Sequence, residues 1–159
     1  MPAFRYLLLM LILPLAAQAQ TDIALGGISA DPSAPVEITA DSLTVDQDSR
    51  SAVFAGNVVI GQGELRIAAG EVKVIYSDAT GDIAQLLASG GVTFVTATEA
   101  AEAETADYNL TTGILTLSGA VLLTQGASAL SADSMTVNLE TGTATMLGRV
   151  STVFQQANP

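Results

Sequence analysis

The stretch Leu115 to Leu123, LTLSGAVLL, returns in the same phase at three other places in the chain. A recurrence of this kind restricts the fold to stacked copies of one small unit. Aligned on glycine, Ala52, Phe54, Gly56, Val58 and Ile60 reappear as Leu86, Ala88, Gly90, Val92 and Phe94, and then as Leu115, Leu117, Gly119, Val121 and Leu123. The fourth copy is Ala144, Met146, Gly148, Val150 and Thr152. Alternate residues of a strand share a face, so each copy is expected to turn its apolar residues and its glycine to one side. The other side is mixed, as in Thr116, Ser118, Ala120 and Leu122.

A second strand precedes each glycine strand, anchored on alanine. Ala40, Ala103 and Ala132 stand at one common distance before Gly56, Gly119 and Gly148, whereas Ala69 lies five residues further from Gly90. The extra residues are placed most simply in a longer turn around Ser77 to Asp82. Three and five residues after each alanine come Leu43 and Val45, Val72 and Val74, Ala106 and Tyr108, and Met135 and Val137. The period is again two. Two strands repeated about every 30 residues describe stacked hairpins, none able to bury its own apolar face alone. Four look-alike strands of an ordinary sandwich are the competing reading, and the shared offset in three units argues against them.

The 159 residues suit one domain. Aromatics make up only 4% and tryptophan is absent, so the interior must be aliphatic. Apolar residues reach 49% against 13% charged, which points to a generous core or to apolar surface kept for a partner. The net charge is −11, and −12 (4 basic against 16 acidic residues) without the first 19 residues, which carry Arg5. The remaining cations, Arg50, Arg66, Lys73 and Arg149, are too scattered to form a basic patch, so nucleic acid is excluded as a partner. A direct electrostatic grip on anionic headgroups is disfavoured on the same ground. There is no cysteine, so the fold rests on its sheet and core.

Residues 1–19, MPAFRYLLLMLILPLAAQA, combine a basic residue, an apolar run and small residues at Ala17 and Ala19. This is the pattern of a secretory signal, with cleavage expected after Ala19. An uncleaved anchor fits less well, because about 13 apolar residues broken by Pro14 fall short of the roughly 20 that span a bilayer. Residues 20–35 hold Gly26, Gly27, Pro32 and Pro35 among small residues and read as a flexible leader. The repeat domain then occupies 36–154, with turns at Asp46 to Ser49, Gly61 to Gly63, Ser77 to Asp82, Thr111 to Gly113, Gln125 to Ser128 and Glu140 to Gly142. Only TEAAEAE, from Thr98 to Glu104, breaks the pattern, and it is expected to be a strand start or a loop. Residues 155–159 read as a disordered tail.

Without histidine or cysteine, Ser-His-Asp and Cys-His catalysis and the usual zinc ligation are excluded by residue type. Asp46 and Asp48 lack the later ligands of a calcium loop and are read as a solvated turn. No catalytic residue, cofactor or metal is expected.

The units ITADSLTVDQ with AVFAGNVVIGQGELRIAAGEV, and LSADSMTVNL with TATMLGRVSTV, resemble the LptA family (OstA-like), the periplasmic bridge proteins of lipopolysaccharide transport. The likeness runs from about Val36 to Phe154. It departs at two leading pairs, Ala69-Gly70 and Ala103-Glu104, which stand where the first and fourth units have Ala-Asp. The resemblance implies a twisted, partly open antiparallel β-jellyroll, here built from four two-strand repeats, whose interior holds lipid A acyl chains while the headgroup stays outside.

The expected lipid-lining residues are Phe54, Val58, Ile60, Val92, Phe94, Leu115, Leu117, Val121, Leu123, Met135, Met146 and Val150. The four glycines are expected on the same face, leaving room between the walls. An open sheet has unpaired edges, so Val36 to Thr39 and Val150 to Phe154 are expected to add strands of neighbours in a head-to-tail array. By resemblance the other neighbours are the inner-membrane component LptC and the outer-membrane component LptD. Two alternatives compete: an anchored LptC-type component of the same system, and a structural β-solenoid with a filled interior.

Overall fold

The computed structural model describes residues 22–24, 31 and 33–155. The expected export signal and residues 156–159 lie outside the described residues. The described chain is all β. Its strands are β1 Asp22–Ala24, β2 Glu37–Thr39, β3 Ser42–Asp46, β4 Ser51–Gln62, β5 Leu65–Tyr76, β6 Ile83–Ser89 and β7 Val92–Val95. They continue as β8 Glu99–Ala103, β9 Thr105–Asn109, β10 Ile114–Gln125, β11 Ser128–Asn138, β12 Thr143–Leu147 and β13 Ser151–Val153. All pair antiparallel in one 13-stranded sheet.

The expected turns fall between these strands. The five extra residues of the second unit lengthen its loop to 77–82, six residues against four in the other units, and add the Tyr76–Ile83 pair and a bulged Ala84 to the β5/β6 ladder. Within the loop the Ser77 amide donates to the Asp82 carbonyl. TEAAEAE resolves into strand, because Ala101 and Ala103 keep the inward phase and β8 pairs with both β7 and β10. Residues 22–24 depart from the flexible leader expected there, since they form a strand on β12.

Each unit is one unbroken strand beside one interrupted strand. β4, β5, β10 and β11 run 11 or 12 residues, while β2/β3, β6/β7, β8/β9 and β12/β13 are pairs of short strands separated by a break. The breaks and bulges line up. Register shifts between Ala55 and Val58 in β4, opposite Gly70, and between Ser118 and Val121 in β10, opposite Asp133. A seam therefore crosses the whole sheet and divides it into two layers. Layer A holds β1, β3, β6, β9, β12 and the adjoining halves of the long strands. Layer B holds β2, β7, β8, β13 and the other halves.

The glycines make this seam, and here the sequence expectation is corrected. Gly56, Gly90, Gly119 and Gly148 do not stack inward as gaps between side chains. Each has φ between +78° and +85° and is followed by a second left-handed residue, Asn57, Gly91, Ala120 or Arg149. Two such residues against one on the partner strand form a bulge that bends the strand. The second position, at φ +46° to +47° in three units, lies in the left-handed region that side chains tolerate, whereas the first does not.

The residue after each anchor alanine sits against the bulge, and the amides of Asp41, Glu104 and Asp133 donate to the carbonyls of Gly56, Gly119 and Gly148 at 2.9, 3.0 and 2.8 Å. In the second unit Gly70 stands where the other units have an acidic residue, and a Cβ there would come within 3.2 Å of the Gly90 carbonyl oxygen.

Candidate functional site: the inner face between the layers

Beyond the seam the alternation expected from sequence holds on both sides of the bend, so the inward residues of the two layers form one aliphatic interior. Val58, Ile60, Val92, Phe94, Leu115, Leu117, Val121, Leu123, Met135 and Met146 are all buried in it. Phe54 is partly buried and packs against the same cluster. Val150 is not brought into it. It is 49% exposed, because after the Gly148-Arg149 bulge the chain forms a short edge strand with no neighbour over its inward side among the described residues.

Around the middle of the sheet this interior is filled. Val72, Phe94, Leu115, Leu123, Met135 and Val137 are completely covered. The described cavities lie elsewhere: depressions of 390 and 300 Å³ follow the seam beside Gly70 and Gly90, and beside Asp133 and Arg149, and one of 270 Å³ lies at the N-terminal end of layer A between Val45, Arg50 and Tyr76.

The ends of the sheet differ from the middle. Leu43 and Val45 of β3 pair with Phe54 and Ala52, which places them in the inward phase, yet they are 53% and 62% exposed. At the opposite edge Val150 and Phe154 are likewise uncovered. The apolar inner face therefore runs the length of the sheet and emerges at both ends.

Polar residues missed by the sequence reading mark the margin of layer B furthest from the seam. Continuing the inward phase by one more step past Ile60, Phe94 and Leu123 gives Gln62, Thr96 and Gln125, and Glu99 precedes Ala101 in the same phase. Glu99 is only 3% exposed. Its carboxylate accepts from the Thr96 and Thr98 hydroxyls and from Gln125 Nε2 at 3.1 Å. Period-two counting carried to the strand ends would have found this band. Tyr108 of layer A spans the interior, and its Oη donates to Gln62 Oε1 at 3.0 Å.

On the outer side the seam is acidic but partly neutralised. Asn57 Nδ2 donates to Asp41 at 2.8 Å, and Arg149 holds Asp133 through Nε and Nη2 at 3.0 and 2.7 Å. That guanidinium holds the Asp133 carboxyl below its ordinary range, and the carboxylate in turn raises Arg149.

Residues 37–143 match the family described as LptA/(LptD N-terminal domain) LPS transport protein. Among solved structures, the fold is similar to LptH from Pseudomonas aeruginosa, described as the LptA homologous periplasmic component of the conserved lipopolysaccharide transport device. The TM-score is 0.72 at 17% identity, over 80% of this chain and 99% of that one. At that identity the likeness is one of fold. No match is found to a curated protein sequence. The family match spans about two thirds of the chain in one continuous block that includes both layers and three of the four bulges, and the chain belongs to the LptA/LptD N-terminal-domain family of lipopolysaccharide transport proteins.

Proposed function

We propose that this chain is a periplasmic lipopolysaccharide-binding bridge protein, exported with a signal cleaved after Ala19, that carries lipopolysaccharide from inner to outer membrane along its inner face. The observation that carries the reading is the aliphatic face that runs the length of the sheet and stays exposed at both ends, at Leu43 and Val45 and at Val150 and Phe154. Acyl chains lie between the layers, against Phe54, Val58, Ile60, Val92, Phe94, Leu115, Leu117, Val121, Leu123, Met135 and Met146, while the sugar stays outside.

Hydrocarbon alone supplies enough attraction: about 12 methylenes at ~0.8 kcal/mol each gain on the order of 10 kcal/mol gross. An acidic protein thus holds an acidic lipid by its tails. Onward movement needs successive sites of similar affinity, which a head-to-tail array of copies supplies, with an LptC-like component at the N-terminal edge and an LptD-like one at the C-terminal edge. Because the middle is filled, a tail enters by parting the layers about the seam, and the Tyr108 to Gln62 bond must open for this.

The filled middle also favours a second reading, a structural β-protein whose interior serves only as core. Binding of a fluorescent fatty acid to the purified protein separates the two. Saturable binding that Leu117→Asp abolishes, with circular dichroism showing the variant folded, supports the carrier. No saturable binding to the parent protein supports the structural reading.

A further inference from the structure

The seam splits each edge of the sheet in two: β12 and β13 at the C-terminal edge, β3 and β2 at the N-terminal edge. Lengths match across the molecule, five residues in both β12 and β3 and three in both β13 and β2. Directions match as well. β12 runs toward the seam and β3 away from it, β13 runs away and β2 toward it, so a second copy with its seam in line meets both parts of the edge antiparallel.

The repeat also supplies the register. Within the chain, β4 pairs with the leading strand of the next unit, Phe54 facing Val72 and Ile60 facing Ile67. The same step beyond the fourth unit sets Leu43 of a second copy opposite Met146, and its Ile38 opposite Thr152. Both pairs keep the inward phase, so the inner face continues and Leu43 and Val45 are covered.

One part of that edge is already taken. β1 lies antiparallel on β12, with Asp22 opposite Thr145, Ile23 opposite Ala144 and Ala24 opposite Thr143. Among the described residues it covers three of the five positions and does not reach Met146 or Leu147, and β13 has no strand on its outer edge.

We propose that β1 is an internal cap: the chain's own leading segment holds the layer A part of the C-terminal edge in the free protomer, and β3 of the next copy displaces it. This rests on the head-to-tail reading above and adds its regulation. β13 is the open foothold. β2 of the incoming copy pairs there first, and β3 then exchanges with β1 by offering five positions against three, together with burial of Leu43 and Val45. Because β1 is joined to the domain by only the few residues between Ala24 and Asp31, it competes at high effective concentration and lowers the apparent affinity by the fraction of uncapped protomers. A capped edge does not template the wrong strand, and it opens only to one matching in length and direction on both sides of the seam.

The chain has no cysteine, so one engineered disulfide tests the proposal cleanly. The mature protein from Gln20 is compared with Ala24→Cys/Thr143→Cys, oxidised and reduced, and with a deletion of residues 20–30, using sedimentation velocity over a concentration series. The oxidised form is expected to stay monomeric, the reduced form to associate like the parent, and the deletion to associate about tenfold more tightly, the scale of a few net backbone hydrogen bonds. A deletion that leaves the association constant unchanged overturns the cap, as does an oxidised form that associates like the reduced one; association in all forms leaves the head-to-tail reading standing. If no form associates, the deletion included, head-to-tail assembly itself is refuted and the cap with it.

Discussion

The Tyr108 hydroxyl donates to the Gln62 side-chain carbonyl at 3.0 Å, joining a strand of layer A to a strand of layer B well away from the seam. Gln62 Nε2 donates in turn to the Ala34 carbonyl at 3.2 Å, so the bond also ties down the segment leading into β2. The two layers are hinged by bulges on one side and clasped by this pair on the other.

Tyr108→Phe removes the donor and leaves the buried Gln62 carbonyl without it. An orphaned buried acceptor costs about 1–3 kcal/mol, so the urea midpoint of unfolding is expected to fall with an unchanged m-value. The double variant Tyr108→Phe/Gln62→Leu is expected to recover much of the loss, because both polar partners are gone. A midpoint for Tyr108→Phe equal to that of the parent would show that the clasp contributes nothing.

Burial, and secondarily the Glu140 carboxylate, raise the Tyr108 hydroxyl above its ordinary value of 10.0. Its neutral form is therefore favoured by the fold. Stability from this group is fully present below about pH 10 and is lost as pH rises through the higher folded-state value. Stability measured from pH 8 to 11 should fall more steeply for the parent than for Tyr108→Phe. Parallel curves would contradict this.

Much of this architecture was legible in the sequence because period two survives wherever one face is buried. The inward phase, the hairpin turns, the longer second turn and most of the buried interior positions follow from it. What was not legible has one physical origin: periodicity gives the side of a strand but not the bend within it. The glycines were expected as inward gaps, whereas their φ near +80° makes them bulges, and Asp41, Glu104 and Asp133 fill the side that their missing Cβ leaves free. Val150 has the phase of an inward residue, but nothing in the sequence around it tells that no neighbour among the described residues lies over it. The strand at Asp22–Ala24 is not legible in sequence because Gly- and Pro-rich surroundings hide a segment whose stability comes from the edge it joins.

Gly119→Ala tests the seam. A Cβ at Gly119 would sit 2.8 Å from Glu104 Cβ, and φ of +85° strains any side chain. The combined cost is expected to exceed roughly 1–3 kcal/mol. Gly91→Ala shares the positive φ, +81°, but meets nothing within 4 Å, so only the backbone strain remains. Thermal unfolding should rank the two variants in that order, and equal losses would show that the approach of Glu104 is immaterial.

Leu43→Asp tests the open N-terminal edge. The side chain is already half exposed, so the free protomer should keep its stability. Association should weaken about tenfold or more, because burying a leucine is worth about 1.5–3 kcal/mol and a buried aspartate is opposed. Unchanged self-association by light scattering would remove β3 from the interface.

The most direct measurement is photocrosslinking in the cell envelope from photoreactive residues placed one at a time at Phe94, Leu117 and, on the outer face of layer A, Thr116. Lipopolysaccharide crosslinks from positions 94 and 117 and not from 116 are the expected result. Crosslinks from none of the three, or from 116 alone, would contradict passage of acyl chains along the inner face.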